Sequence, residues 1–259
     1  MLINSSKLKL ILFVLIPLIC GVFIFEKTFG VNYTPTEYEK ELISYFNEVV
    51  MKSEYIDNPN KVIKWKKPMC LSIYFDEEYQ GQMKAIERTI NNINKLATDG
   101  FKIKLSDNML ESNSILYICN FERLSTLNHN FHKKINDFIN YETSGVAYTE
   151  FNEDNYTIDK ALIYINSEDP LGIQESTILE EITQSIGLPN DPLTYPNSIF
   201  YKDKSEDNND MKEYTKMDTD IVRLLYHPKM KPGLNSKQTK RIIKKILKEE
   251  AKSVNKKIK

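Results

Sequence analysis

Leu179-Glu180-Glu181-Ile182-Thr183-Gln184-Ser185-Ile186-Gly187-Leu188-Pro189-Asn190-Asp191 is the stretch on which the reading of this 259-residue chain turns. It closes a segment, Gln174–Ile186, whose apolar spacing predicts a helix. At about 3.6 residues per turn, Glu180 and Gln184 lie one above the other on one helix face, with Glu181 beside them. Gly187 comes three residues after Gln184, placed to turn the chain, and Asn190 and Asp191 follow three and four residues later. Carboxylates and amides are thus spaced as a set of ligands would be spaced.

That spacing is the ruler of a zinc-metallopeptidase helix, His-Glu-x-x-His, in which two imidazoles hold the metal and the Glu polarises its water. On it, Glu180 takes the first ligand position, Glu181 the general base and Gln184 the second ligand. Gly187 takes the turn, and Asn190 or Asp191 the third ligand. The spacing is present and the histidines are not, so a working zinc peptidase is not expected. The set Glu180, Gln184, Asn190 and Asp191 offers hard oxygen donors, suited to calcium, magnesium or manganese rather than zinc. No cofactor is expected; a weakly held oxygen-ligated metal is the alternative. Downstream, Asn197-Ser198-Ile199-Phe200 stands where such enzymes place a tight turn beneath the metal, and Asp220-Ile-Val-Arg-Leu-Leu-Tyr226 where they place a closing helix. Ser198, Phe200, Asp220 and Tyr226 are therefore scaffold positions.

Working outward, periodicity predicts helices over Thr34–Met51, Glu77–Ala97, Glu122–Tyr141, Thr215–Leu225 and Ser236–Lys252. Strands are predicted over Met69–Phe75, Phe101–Leu105, Ser114–Phe121, Gly145–Phe151 and Lys160–Asn166, the last two joined by the polar turn Asn152–Asn155. The order predicts an α+β fold, a zincin-like mixed sheet with helices on one face and an active-site-type helix. Turn signals mark Asp57–Asn60, and the acidic, Asn-rich run Lys202–Met211 reads as a solvated loop.

The ends differ from the middle. Lys7 and Lys9 precede sixteen uncharged residues, Leu10–Phe25, which read as an N-terminal membrane segment: a signal-anchor, with cleavage after Gly30 as the alternative. The domains expected are 1–30 for this segment, 31–63 for a helix and linker, 64–234 for the zincin-like domain, and 235–259 for a basic C-terminal helix. That helix carries ten Lys/Arg against two Glu, a net of +8; the whole chain is −1, so the remainder carries −9. The balance argues against nucleic acid, and the tail reads as a solvated basic face. Eight glycines and no Gly-x-Gly-x-x-Gly or Gly-Lys-Ser/Thr run exclude a phosphate-binding loop. No Gly-x-Ser-x-Gly elbow is present. Cys70 and Cys119 fall in strands, where pairing and two buried thiols both stay open. His129 and His132 lie among polar residues and read as surface; His227 reads as a cationic cap at a helix end.

These motifs, with Lys64-Trp-Lys-Lys-Pro68 upstream and Arg223-Leu-Leu-Tyr-His-Pro-Lys-Met-Lys-Pro-Gly233 downstream, resemble the bacterial family catalogued as domain of unknown function 2927. The resemblance spans roughly Lys64 to Leu234, with Leu234 where the family keeps Met. It implies an exported protein and a relative of metallopeptidases with a degenerate site; it implies no activity. The expectation is an exported, non-catalytic metallopeptidase-like domain of the cell envelope. It binds a peptide, protein or other envelope component, a peptide along an edge strand, Gly145–Phe151 or Lys160–Asn166, and meets the membrane through its N-terminus. Two alternatives stay open, a hydrolase with an oxygen-ligated metal and Glu181 as base, and a purely structural envelope protein.

Overall fold

Continuous apolar runs, rather than alternating ones, set the architecture. Ile115-Leu-Tyr-Ile-Cys119 and Ala161-Leu-Ile-Tyr-Ile165 bury nearly every side chain, as only strands covered on both faces do. A computed structural model describes residues 33–53, 59–76, 80–139, 143–202 and 211–257. The elements run α1 Glu37–Met51, β1 Lys64–Trp65, β2 Met69–Phe75, α2 Gln80–Leu96, β3 Ile103–Leu105, β4 Ser114–Cys119, α3 Phe121–Leu127 and α4 His129–Phe138. They continue with β5 Gly145–Asn152, β6 Thr157–Asn166, α5 Leu171–Gln184, α6 Lys216–Leu225 and α7 Ser236–Lys257.

The strands form one sheet, β1-β6-β4-β2-β3, with β5 on the other edge of β6. Four pairings are parallel, and only β5 with β6 is antiparallel. On one face, Leu124, Phe131 and Ile135 of α3 and α4 pack with Tyr117, Cys119, Val146, Leu162 and Tyr164. By strand alternation, Leu116, Ile118, Ile163 and Ile165 turn to the opposite face, where α5 packs on β5, β6 and α2. Glu37–Ile243 form one compact unit; residues 1–36 and 244–259 are grouped as a second.

The expected fold class is corrected by these pairings. The architecture is α/β, its mixed sheet mostly parallel and covered on both faces, not an α+β plan with helices on one face, and the zincin-like label falls with that plan. The reason is connectivity: β2 is joined to β3 through a helix and β4 to β6 through two helices and β5, and such crossovers leave strands parallel. The fold class also included an N-terminal membrane segment. No described helix is long and apolar enough to cross a membrane, and Leu10–Phe25 lies outside the described residues. Asp57, Glu77, Tyr141 and most of Lys202–Met211 lie outside them too.

Other differences are local. The helix read as Glu122–Tyr141 is two helices, because Asn128 ends one by donating its N–H to the Leu124 carbonyl and starts the next by accepting from the Phe131 N–H. Two residues too few to carry a period, Lys64-Trp65, form β1 against Thr157-Ile158. Cys70 and Cys119 are both free thiols, and burial pushes the Cys119 thiol up to about 12. His227 follows the end of α6, and its Nδ1 accepts from the Lys229 N–H at 3.0 Å.

Candidate functional site

The predicted ligand positions sit at the C-terminal end of α5, and their geometry follows from how that end is held. Gly187 turns the chain with φ +108°, and its Cα presses so closely on β1 that an added Cβ would collide with the Ile63 carbonyl oxygen. The carbonyls that the helix leaves unpaired are taken by aromatic donors: Trp65 Nε1 donates to Ser185 O at 3.0 Å, and Tyr226 Oη to Ile186 O at 2.7 Å. Tyr226 Oη in turn accepts from the Trp65 N–H at 3.3 Å. Its ring stacks on Phe101 at 4.3 Å, and the Lys64 ammonium lies over its face at 4.3 Å.

Lys64 is fully buried. Its ammonium donates to Asp99 at 2.7 Å and to the Leu225 and Met230 carbonyls. Burial lowers its pKa to about 8, against the raising effect of Asp99. Lys64, Trp65, Gly187 and Tyr226 therefore form a single clamp on the end of the motif helix.

Within the motif, Gln184 Nε2 donates to Asp191 Oδ1 at 2.8 Å, so the second and third ligand positions are joined to each other. Asn190 instead donates to the Glu48 carbonyl of α1 at 3.0 Å. Glu180 and Glu181 are both buried. Glu181 lies against β5: a Cβ on Gly145 would come within 2.8 Å of its Cγ. The structure thus brings together Gln184 and Asp191, sets Glu181 beside the edge strand, and turns Asn190 away to α1. Among the described residues no three His, Cys, Asp or Glu side chains stand close enough to hold one ion.

The scaffold positions divide. Ser198 and Phe200 are buried, and Ser198 Oγ donates to Asp218 at 2.5 Å. Asp218, which the sequence reading missed, is the anchor. It is fully buried, accepts from Ser198, the Thr215 hydroxyl and the Thr215 N–H, and closes a capping box on α6. Thr215-x-x-Asp218 was the signal that could have found it. Asp220, the predicted scaffold acid, faces outward to Tyr38, Lys216 and Arg223. Burial would raise its pKa, but hydrogen bonds from Lys216 and Tyr38 and the Arg223 charge hold it below the usual range.

The second half of the site is β5. Of the two strands proposed as the exposed edge, β6 is interior and β5 is the edge; no described strand pairs with its outer side. Asn166 N–H donates to Ser144 O at 2.8 Å, and Gly145 faces Ile165. In antiparallel pairing the bonded and non-bonded pairs alternate, so the N–H and C=O groups of Ala147 and Thr149 point away from β6. They face a groove lined by Phe138 and Ile139 at the end of α4, by Ala147, Tyr148 and Thr149 of β5, and by Gln184 and Pro189 at the end of α5. Phe138 is 52% exposed there.

Compared with known families, residues 39–245 match the one described as "Protein of unknown function (DUF2927)". The match exceeds the Lys64–Leu234 span of the sequence resemblance, taking in most of α1 and the first half of α7. No curated protein matches the chain.

Proposed function

The chain belongs to the DUF2927 family, and we propose that it is an exported, non-catalytic binding domain that receives an extended peptide along the outer edge of β5. The reading keeps the metallopeptidase-type frame of residues 180–191 as a wall of the cleft rather than as a metal site. The observation that carries it is the row of outward backbone groups on Ala147 and Thr149, set in a groove that Phe138, Ile139, Tyr148, Gln184 and Pro189 also line. An added strand satisfies such groups through main-chain hydrogen bonds and sends alternate side chains to either wall. One set would meet Phe138, Ile139 and Tyr148; the other, Gln184 and Pro189. The Gln184–Asp191 bond supports the binding reading: it turns the amide nitrogen, a donor that cannot ligate a cation, onto Asp191, as a hydrogen-bonded wall would.

A displayed library of random dodecapeptides, selected on the purified protein, tests this. Enriched peptides should lose roughly five- to thirtyfold in affinity for Ala147→Pro, which removes one outward donor, about 1–2 kcal/mol. Proline on an edge strand with its nitrogen outward is tolerated by the fold. Equal binding by wild type and Ala147→Pro, with both proteins folded, would overturn the reading.

A further inference from the structure

The C-terminal helix carries a second surface, independent of the peptide cleft. Helix α7 runs unbroken from Ser236 to Lys257. At about 100° per residue, Lys237, Lys240, Arg241, Lys244, Lys245, Lys248 and Lys252 fall within one arc of about 140°. The row extends roughly 22 Å along the helix. Five of the seven are exposed, and Lys244 and Lys248 are half-buried. Glu249 and Glu250, the helix's acids, lie outside the arc. Ile243, Ile246 and Leu247 lie on the other side and are buried.

We infer that this outer face of α7 is an electrostatic docking surface for an anionic phospholipid membrane. The chemistry of the row separates a lipid plane from other polyanions. Six of its seven cations are lysines, which act as point charges without the bidentate fork that arginine brings to specific phosphate or carboxylate recognition. No aromatic side chain shares the face, so nothing is offered for base stacking. A helix seated in a nucleic-acid groove meets phosphates on both flanks, whereas a single stripe on a straight rod meets a plane. The charge outside the tail, −9, repels any polyanion large enough to wrap the domain, which confines attraction to contact along the stripe. Because Ile243, Ile246 and Leu247 are already buried, the attraction along the row is electrostatic, and it screens with salt.

The test uses the full chain and two vesicle compositions, one about one-third phosphatidylglycerol in phosphatidylcholine and one of phosphatidylcholine alone. The difference between them removes any uptake that apolar segments contribute equally to both. At about 50 mM salt, partition onto the anionic vesicles should exceed the neutral ones by roughly tenfold or more, and most of the excess should vanish near 500 mM. Replacing the seven cations by Gln should abolish the excess; replacing the six lysines by Arg should retain it. Equal partition onto both vesicles, an excess that survives the Gln set, or its loss in the Arg set would each overturn the inference. So would tighter binding to a short DNA duplex than to anionic vesicles at equal phosphate. The salt dependence is read on the unmodified protein, so the result does not hang on a heavily substituted variant folding.

Discussion

Replacing Gly187 by Ala should be among the most destabilising single methyl additions in this protein, and the structure says by how much. Two costs add. At φ +108° an L side chain is strained, about 1–2 kcal/mol. The new Cβ would also drive into the Ile63 carbonyl, with the carbonyl carbon 3.2 Å away. That carbonyl cannot retreat cheaply. Val62 is bonded both ways to Gly233 and Leu234, Lys64 is buried on Asp99, and Trp65 holds Ser185. Overpacking of this kind costs about 1–3 kcal/mol, giving roughly 2–5 kcal/mol in all against a typical 5–15 kcal/mol of stability. Gly100→Ala is the matched control: its φ is +99°, with no atom within 4 Å of the new Cβ. It should show only the backbone strain, partly offset by a stiffer unfolded chain, about 1 kcal/mol. Urea unfolding followed by fluorescence suits both, because Trp65 is the single tryptophan and is buried beside Gly187. If the two variants lie within about 0.5 kcal/mol of each other, the clamp on the helix end is not as described.

Asp218→Ala should cost about 2–4 kcal/mol, since it removes a cap and strands the buried Ser198 hydroxyl, whereas Asp220→Ala should cost about 1 kcal/mol; thermal unfolding of the pair would reveal a reversed order. Lys64, lowered to about 8 in the fold against about 10.4 unfolded, makes the folded state bind fewer protons between those values. Stability should therefore rise with pH across that window, by up to about 1.4 kcal/mol per unit, and Lys64→Met should remove the slope. Parallel pH profiles for wild type and variant would refute it. Burial raises the phenols of Tyr214 and Tyr226 above the ordinary 10. Their contribution is full below pH 10 and is lost as pH climbs past it, because the unfolded phenols ionise first; tyrosinate absorbance should show these residues titrating only on unfolding. Finally, Glu181→Gln and treatment with a chelator should each leave the melting temperature within about 1–2 °C of the untreated protein. Stoichiometric zinc in the purified protein would overturn the binding reading outright.

The sequence by itself determined the elements and the frame. Helical periods located α2, α5 and α6, and short apolar runs bounded by turn residues located β2, β4, β5 and β6, to within a few residues. The family was legible in short motifs whose letters now have physical reasons: Gly187 for a close approach, Trp65 and Tyr226 as donors to a helix end, Ser198 for the Asp218 carboxylate. The continuous apolar runs of β4 and β6 are the mark of parallel strands covered on both faces, and the β5–β6 hairpin adds the single antiparallel pair. Only the tertiary structure could decide the rest. Two-residue β1 has no period to read, and its partner lies some ninety residues away in sequence. Lys64 looks like any solvated lysine until Asp99, Tyr226 and two carbonyls converge on it from distant segments. That Gln184 meets Asp191 while Asn190 turns to α1, and that β5 rather than β6 is the edge, depend on strand order and packing. Spacing along a chain fixes which side chains share a face; what that face meets is settled by contacts between residues far apart in sequence.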